Sequence, residues 1–158
     1  MLRVMALLSV AAHAETLTGR VVSIADGDTL TLLDATNQQH KIRLSGIDAP
    51  EKNQDFGQKS KTSLSAMAFN QPAQAECRKR DMYQREVCVV IVEGKDVGLE
   101  QIREGMAWWY QHYSKDQTPQ ERAEYAQAEF VAKMHRNGLW NSKNPTPPWD
   151  WRHGRAVE

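Results

Sequence analysis

Two short stretches gather the side chains that can do chemistry, "DGDT" at 26–29 and "RLSGIDAPE" at 43–51. Asp28 follows a turn. Arg43 lies in a strand-like run that ends, around a proline, on Asp48 and Glu51. A strand that only packs a core needs none of these charges. If the strands that carry them are neighbours, Asp28 comes beside Asp48, and two carboxylates that close repel unless a cation or proton sits between them. Carboxylate oxygens with a backbone carbonyl and waters suit a hard ion, Ca²⁺ or Mg²⁺. There is no Cys/His cluster at zinc spacing, and "DGDT" lacks the remaining ligand positions of an EF-hand loop. A carboxylate-held cation beside an arginine is what phosphodiester hydrolysis needs. The cation offsets charge that grows in the transition state. A guanidinium matches phosphate oxygens bidentately, and a carboxylate off the metal can orient or deprotonate the attacking water. Arg43 and Glu51 fit the last two roles. Each residue alone has a plainer reading: Asp26 and Asp28 as turn formers, Arg43 as an exposed strand residue, Pro50-Glu51 as a helix opening. Their occurrence together in one meander is what carries the chemical reading.

The elements that must position them are short. "TLTGRVVSI" alternates and is rich in β-branched residues, a strand pattern. Asp26-Gly27 is a hairpin signal; "TLTLLDA" and "HKIRLSGI" read as the second and third strands. A helix is predicted over 57–70, with Leu64, Met67 and Ala68 on one side. "PAQAEC" and "EVCVVIVEG" read as the fourth and fifth strands. A second helix starts at Asp96, with Leu99, Ile102 and Met106 as its apolar face and Gly105 as its stop. The third opens on Thr118-Pro119-Gln120-Glu121, an N-cap, a proline at N1 and a capping-box glutamate. Ala123, Ala126, Phe130 and Met134 give its apolar spacing, and Asn137-Gly138 a left-handed end. Five short strands with an inserted helix fit an α+β chain built on a small closed barrel of the OB type.

The 158 residues suit one domain. The 20 basic and 20 acidic residues balance, so net charge points to no polyanion, although a local basic patch can still bind one. "MLRVMALLSVAAHA" has a basic start, an apolar stretch too short to span a bilayer and an A-x-A end. Residues 1–14 are therefore expected to be a cleaved leader, 15–140 the folded domain, and the Pro-rich 141–158 an extended or loose tail. Export places the protein in the periplasm or outside the cell, with no stable membrane association after cleavage. The two cysteines, Cys77 and Cys88, flank a polar loop. In an oxidising compartment they are expected to pair across a hairpin, worth roughly 3 kcal/mol in the chain-entropy model.

"DGDTL" (26–30), "RLSGIDAPE" (43–51), "GQKS" (57–60), "DMYQREV" (81–87), "DVGLEQIREGMAWWY" (96–110) and "GLW" (138–140) together resemble the staphylococcal nuclease family, in the family's order over about residues 18 to 140. The resemblance implies a five-stranded OB-fold β-barrel with three helices. It also implies Ca²⁺-dependent hydrolysis of DNA or RNA, with 3′-phosphate ends in the type member. By position, Asp28 and Asp48 match the calcium carboxylates and Ala49 the backbone carbonyl that completes the site. Glu51 matches the carboxylate usually called the general base. Arg43 and Arg85 match the arginines that hold the phosphate and its transition state, and Tyr83 an aromatic near the 3′ phosphate. Two positions depart from the pattern. Gln84 replaces the glycine of "D-x-Y-G-R", a strained choice if that glycine has positive φ. Gly98 replaces the asparagine after "DV", which weakens a helix-start hydrogen bond.

Trp108, Trp109, Tyr110 and Tyr113 form an aromatic cluster that can stack on bases or simply pack; packing is the expectation for the tryptophans, while Tyr113 is a candidate substrate contact. The run "RKRDMYQR" is either a solvated loop or a phosphate-steering patch beside Arg85. His112, His135 and His153 have no partner pattern. A monomer is expected. Two other functions remain open on sequence: a catalytically weak nucleic-acid-binding module, which would typically have lost the acidic residues that are all present here, and a bare OB fold for oligosaccharides or proteins, which has no need of two arginines at one metal site.

Overall fold

The computed structural model describes residues 14–154; the expected leader therefore lies outside the described residues except for Ala14. The elements run β1 (Glu15–Ile24), β2 (Thr29–Leu33), β3 (Gln39–Leu44), β4 (Ile47–Asp48), α1 (Gly57–Ala68), β5 (Pro72–Arg80), β6 (Glu86–Val92), β7 (Lys95–Asp96), α2 (Val97–Arg103), β8 (Trp108–Trp109), α3 (Pro119–Met134) and α4 (Pro148–Arg152), with 3₁₀ turns at Gln111–Asp116 and Gly138–Asn141. The main sheet has the order β3-β2-β1-β5-β6-β7, and a further β3–β6 pairing closes it. That seam is parallel, Ile42 facing Glu86 and Leu44 facing Cys88. Five strands thus form the expected OB-type barrel, with α1 and α2 against it and α3 packed on α2 and β8.

Alternation fills the barrel. Val21, Leu30, Leu32, Ile42, Leu44, Ala75, Cys88 and Val90 are buried in it, joined by Leu64 and Ala68 of α1 and by Leu99 and Ile102 of α2. The predicted face of α1 holds, with Met67 partly buried against the core; on α2 Leu99 and Ile102 face inward, whereas Met106 lies beyond the helix end at Arg103 and is only partly buried. Asp96 caps α2 by accepting from the Gly98 and Leu99 amides, so glycine at 98 does not leave the helix start unbonded. Thr118 and Glu121 form the predicted capping box.

Three expectations change. The buried residues of α3 are Tyr125, Ala128, Glu129 and Ala132, whereas Phe130 is 58% and Met134 67% exposed. Two polar-tipped side chains turn inward because each finds a partner: the Tyr125 hydroxyl donates to Asp96 at 2.6 Å, and Glu129 accepts from the Trp109 amide and from Lys133. The left-handed residues beyond α3 are Arg136 and Gly138, with Asn137 extended. The tail is not loose as far as it is described. Gln54 Nε2 donates to the Thr146 carbonyl at 2.6 Å, Pro148 is buried, and α4 forms a short turn.

Candidate active site

The β2–β3 hairpin pairs Thr29 with Arg43, and the Leu44 amide donates to the Asp28 carbonyl. The predicted neighbours are thus side by side. The chain then turns through Gly46 into β4, which pairs with β8 and sets Asp48 opposite Trp108. Asp28 and Asp48 are both buried, and Arg43 lies between them. Its Nη1 is 3.3 Å from Asp28 Oδ2, and its Nη2 donates to Asp48 Oδ1 at 3.2 Å. Nη1 also donates to the Ile47 carbonyl at 2.9 Å, which fixes the fork. The Ala49 amide donates to Asp28 Oδ2 at 2.8 Å, tying the Ala49 backbone to that carboxylate, and the Thr29 hydroxyl donates to Asp28 Oδ1 at 2.9 Å.

Arg85 reaches the same place from the other side of the seam. Its Nε donates to Asp81 at 2.7 Å and its Nη1 lies 3.5 Å from the Thr29 hydroxyl. Tyr83 is 72% exposed, with the Arg85 guanidinium 5.4 Å from its ring centre. Tyr113 belongs to a separate aromatic group: its ring meets Tyr110 and His112, with Lys79 Nζ 4.6 Å above it. The tryptophans pack as expected, Trp108 edge-on to Trp140 and Trp149. The basic run is not a free patch. Arg78 pairs with Glu121, Lys79 with Asp116, Arg80 with Glu86 and Arg85 with Asp81. Cys77 and Cys88 face each other across β5 and β6 and are joined in a disulfide.

Three participants were not found in the sequence. Arg152 of α4 donates to Asp48 Oδ2 at 2.8 Å and to Glu51 Oε1 at 2.7 Å. Nothing local in an aperiodic stretch signals a contact with residues a hundred positions earlier. Asp26, read as a turn former, accepts from the Asp28 amide at 3.0 Å; the D-x-D spacing was its only signal. Gln101 of α2 is fully buried and donates to the Gly27 carbonyl at 2.8 Å and to Ser60, bracing the turn that carries Asp28.

The electrostatics follow from burial and these bonds. Burial, then the Asp28 charge, pushes Asp26 up to about 6. Burial alone would raise Asp28 as well, but Arg43, the Ala49 amide, Asp26 and Thr29 hold it below the usual carboxylate range. Burial raises Asp48 against the pull of Arg152 and Arg43. The bond to Asp48, then that to Glu51, raises half-exposed Arg152 despite its partial desolvation. The two directions agree physically, because the buried partner bears most of the desolvation cost.

Among the described residues no group of three or more His, Cys, Asp or Glu side chains is arranged to hold a metal ion. The donors present are carboxylate oxygens, two of them joined through Arg43, with backbone at Ala49 beside them. That set suits a hard cation completed by water rather than a thiolate or imidazole metal. A cationic group, the Arg152 guanidinium, already bridges Asp48 and Glu51.

Residues 41–142 match the family model described as "Staphylococcal nuclease homologue". A Haemophilus influenzae protein named "Uncharacterized endonuclease" is 42% identical over 140 residues, covering 89% of this chain and 75% of that protein. A Shigella flexneri protein named "Micrococcal nuclease" is 35% identical over 158 residues, covering 94% of this chain and 87% of its own. An Escherichia coli O157:H7 protein named "Uncharacterized endonuclease" is 35% identical over 136 residues, covering 85% and 84%.

Proposed function

The chain belongs to the staphylococcal nuclease family and is a nuclease; on that premise we propose that it is exported and cleaves phosphodiester bonds of DNA or RNA in a Ca²⁺-dependent reaction. The observation that carries this reading is the single arginine fork, Arg43, held against both Asp28 and Asp48. It gathers two buried carboxylates and a phosphate-binding group at one point.

In this reading Asp28, Asp48 and the Ala49 carbonyl would hold the cation. When bound, Ca²⁺ supplies Lewis-acid stabilisation of the phosphate charge. The chain's own groups do the rest. Arg43 and Arg85 bind the non-bridging phosphate oxygens and take more charge in the transition state than in the ground state. Glu51, at the rim of the cluster, orients the attacking water and accepts its proton. The arginines keep the carboxylate-rich pocket from repelling the polyanion. Tyr83, exposed beside Arg85, offers a ring and a hydroxyl to the adjoining nucleotide, and Tyr113 a surface further along the strand. Export has its own support: the residues up to Ala14 have a leader's pattern, β1 begins at Glu15, and the Cys77–Cys88 bond suits an oxidising compartment.

Cleavage of plasmid and single-stranded DNA by the protein freed of residues 1–14, with added Ca²⁺ and then with a chelator, tests the activity. Ca²⁺-dependent cleavage is the expected result, with Glu51→Gln folded but slower by about 10²–10⁴-fold. A folded protein that binds DNA and leaves it intact with Ca²⁺ present would refute the reading.

A further inference from the structure

Arg152 has no assigned part in the chemistry above, yet it touches two of the side chains that carry it. Its Nη2 donates to Asp48 Oδ2 at 2.8 Å, and its Nη1 to Glu51 Oε1 at 2.7 Å and to Asp48 Oδ1 at 3.3 Å. All of the hydrogen bonds that the guanidinium makes among the described residues go to these two carboxylates, and the side chain is 40% exposed. It is therefore neither a core residue nor a bystander on the surface.

The segment that brings it there is anchored independently of the charge. Gln54 holds the Thr146 carbonyl, and Pro148 is buried. Trp149 packs at 5.6 Å from Trp108 and 5.4 Å from Tyr110, ring centre to ring centre. A strap fixed at Thr146, Pro148 and Trp149 delivers Arg152 to the cluster at high effective concentration.

We propose that Arg152 is a built-in competitor for the catalytic cation: its guanidinium and the divalent ion both use the carboxylate of Asp48, with the Glu51 bond holding the guanidinium in place, so the arginine on the strap sets the cation concentration at which the site fills. The inference rests on the reading of Asp28 and Asp48 as cation ligands. Charge and geometry support competition rather than a third phosphate clamp. Arg43 is mostly buried and is fixed by the Ile47 carbonyl as well as by the carboxylates, whereas Arg152 is 40% exposed and its guanidinium bonds to Asp48 and Glu51 alone. With the strap fixed, a guanidinium engaged on Asp48 about nine-tenths of the time lowers the apparent cation affinity about tenfold, because only the disengaged fraction binds.

Calorimetric titration of Ca²⁺ into the purified wild-type protein, Arg152→Gln, Arg152→Lys and Asp48→Asn tests this without any turnover. Arg152→Gln is expected to bind about tenfold more tightly, Arg152→Lys to fall between it and wild type, and Asp48→Asn to lose binding. If wild type binds Ca²⁺, Asp48→Asn does not, and Arg152→Gln binds no more tightly than wild type, the cation reading stands and the competitor role is overturned. If neither wild type nor Arg152→Gln binds the ion, the cation reading fails and the competitor role fails with it.

Discussion

Gln84 offers a direct measure of backbone strain next to a candidate catalytic arginine. It sits in the tight turn between β5 and β6 with φ 64°. The turn is held by Asp81, whose carboxylate accepts from the Tyr83 and Arg85 amides, and by the Asp81 amide bonded to the Arg85 carbonyl. A left-handed conformation costs an L-residue roughly 1–2 kcal/mol. Glycine escapes that cost but gives back about 0.5–1 kcal/mol through the entropy of the unfolded chain. Gln84→Gly is thus expected to stabilise by about 0.5–1 kcal/mol, roughly 1–4 °C in Tm for a chain of this size. Gln84→Ala keeps the Cβ and is expected to gain nothing. Gly94 provides the reverse perturbation: its φ is 75° and an added Cβ would meet nothing within 4 Å, so Gly94→Ala reports the backbone term alone and should destabilise by about the same amount. The assay is thermal or urea unfolding of the three variants beside wild type. Gln84→Gly at or below wild type, with Gly94→Ala destabilised, would refute the reasoning. Because Asp81 holds both the amide and the Nε of Arg85, little change in kcat is expected from Gln84→Gly.

Replacing Cys77 and Cys88 together by alanine releases an 11-residue separation and is expected to cost about 3 kcal/mol, read as a fall in the urea midpoint. Gly27→Ala would place a Cβ 1.7 Å from the Ser60 hydroxyl and 2.9 Å from the Ala49 Cβ; the Asp28 turn must shift, and a loss of about 1–3 kcal/mol is expected, with weaker Ca²⁺ binding by titration. The Arg78 bond holds the Glu121 carboxyl below its usual range, with the Thr118 amide adding to it. Its folded value lies below its unfolded one, so its stabilising contribution is complete above the ordinary carboxylate range and drains away as pH falls through the lowered value. Glu121→Gln is expected to be less stable than wild type at neutral pH and to approach it as the pH falls below that lowered value.

The barrel was legible because its hairpins are local: Asp26-Gly27 ends one strand and starts the next, and alternation in 16–24 and 40–47 marks the inward faces. The seam was not, since nothing near Ile42 announces Glu86 as its partner. The carboxylates and Arg43 were legible as a set because one meander carries them. On α3, hydrophobicity alone chose the wrong side. Tyr125 and Glu129 are buried by virtue of the hydrogen bonds they find, and those partners, Asp96 and the Trp109 amide, lie in other elements. The same limit hid Arg152, whose place depends on a strap anchored through Pro148 and Trp149. The run from Arg78 to Arg85 looked like a free basic patch because its counter-charges, Asp116 and Glu121, stand more than thirty residues later.

The β3–β6 seam carries one arginine on each side: Arg43 on β3 pairs with Val87, and Arg85 stands just before β6. Among the described residues it is the one parallel pairing, joining segments more than forty residues apart, the kind of contact that forms late. A partly folded chain can therefore form the β2–β3 hairpin that carries Asp28 and Arg43 while Arg85, the second arginine of the proposed site, is still missing from it, and Asp48 waits in the same way for the β4–β8 pairing. Closing the barrel and bringing the two arginines together are the same event. On the proposed function, an unfinished chain lacks its arginine pair for as long as the seam stays open.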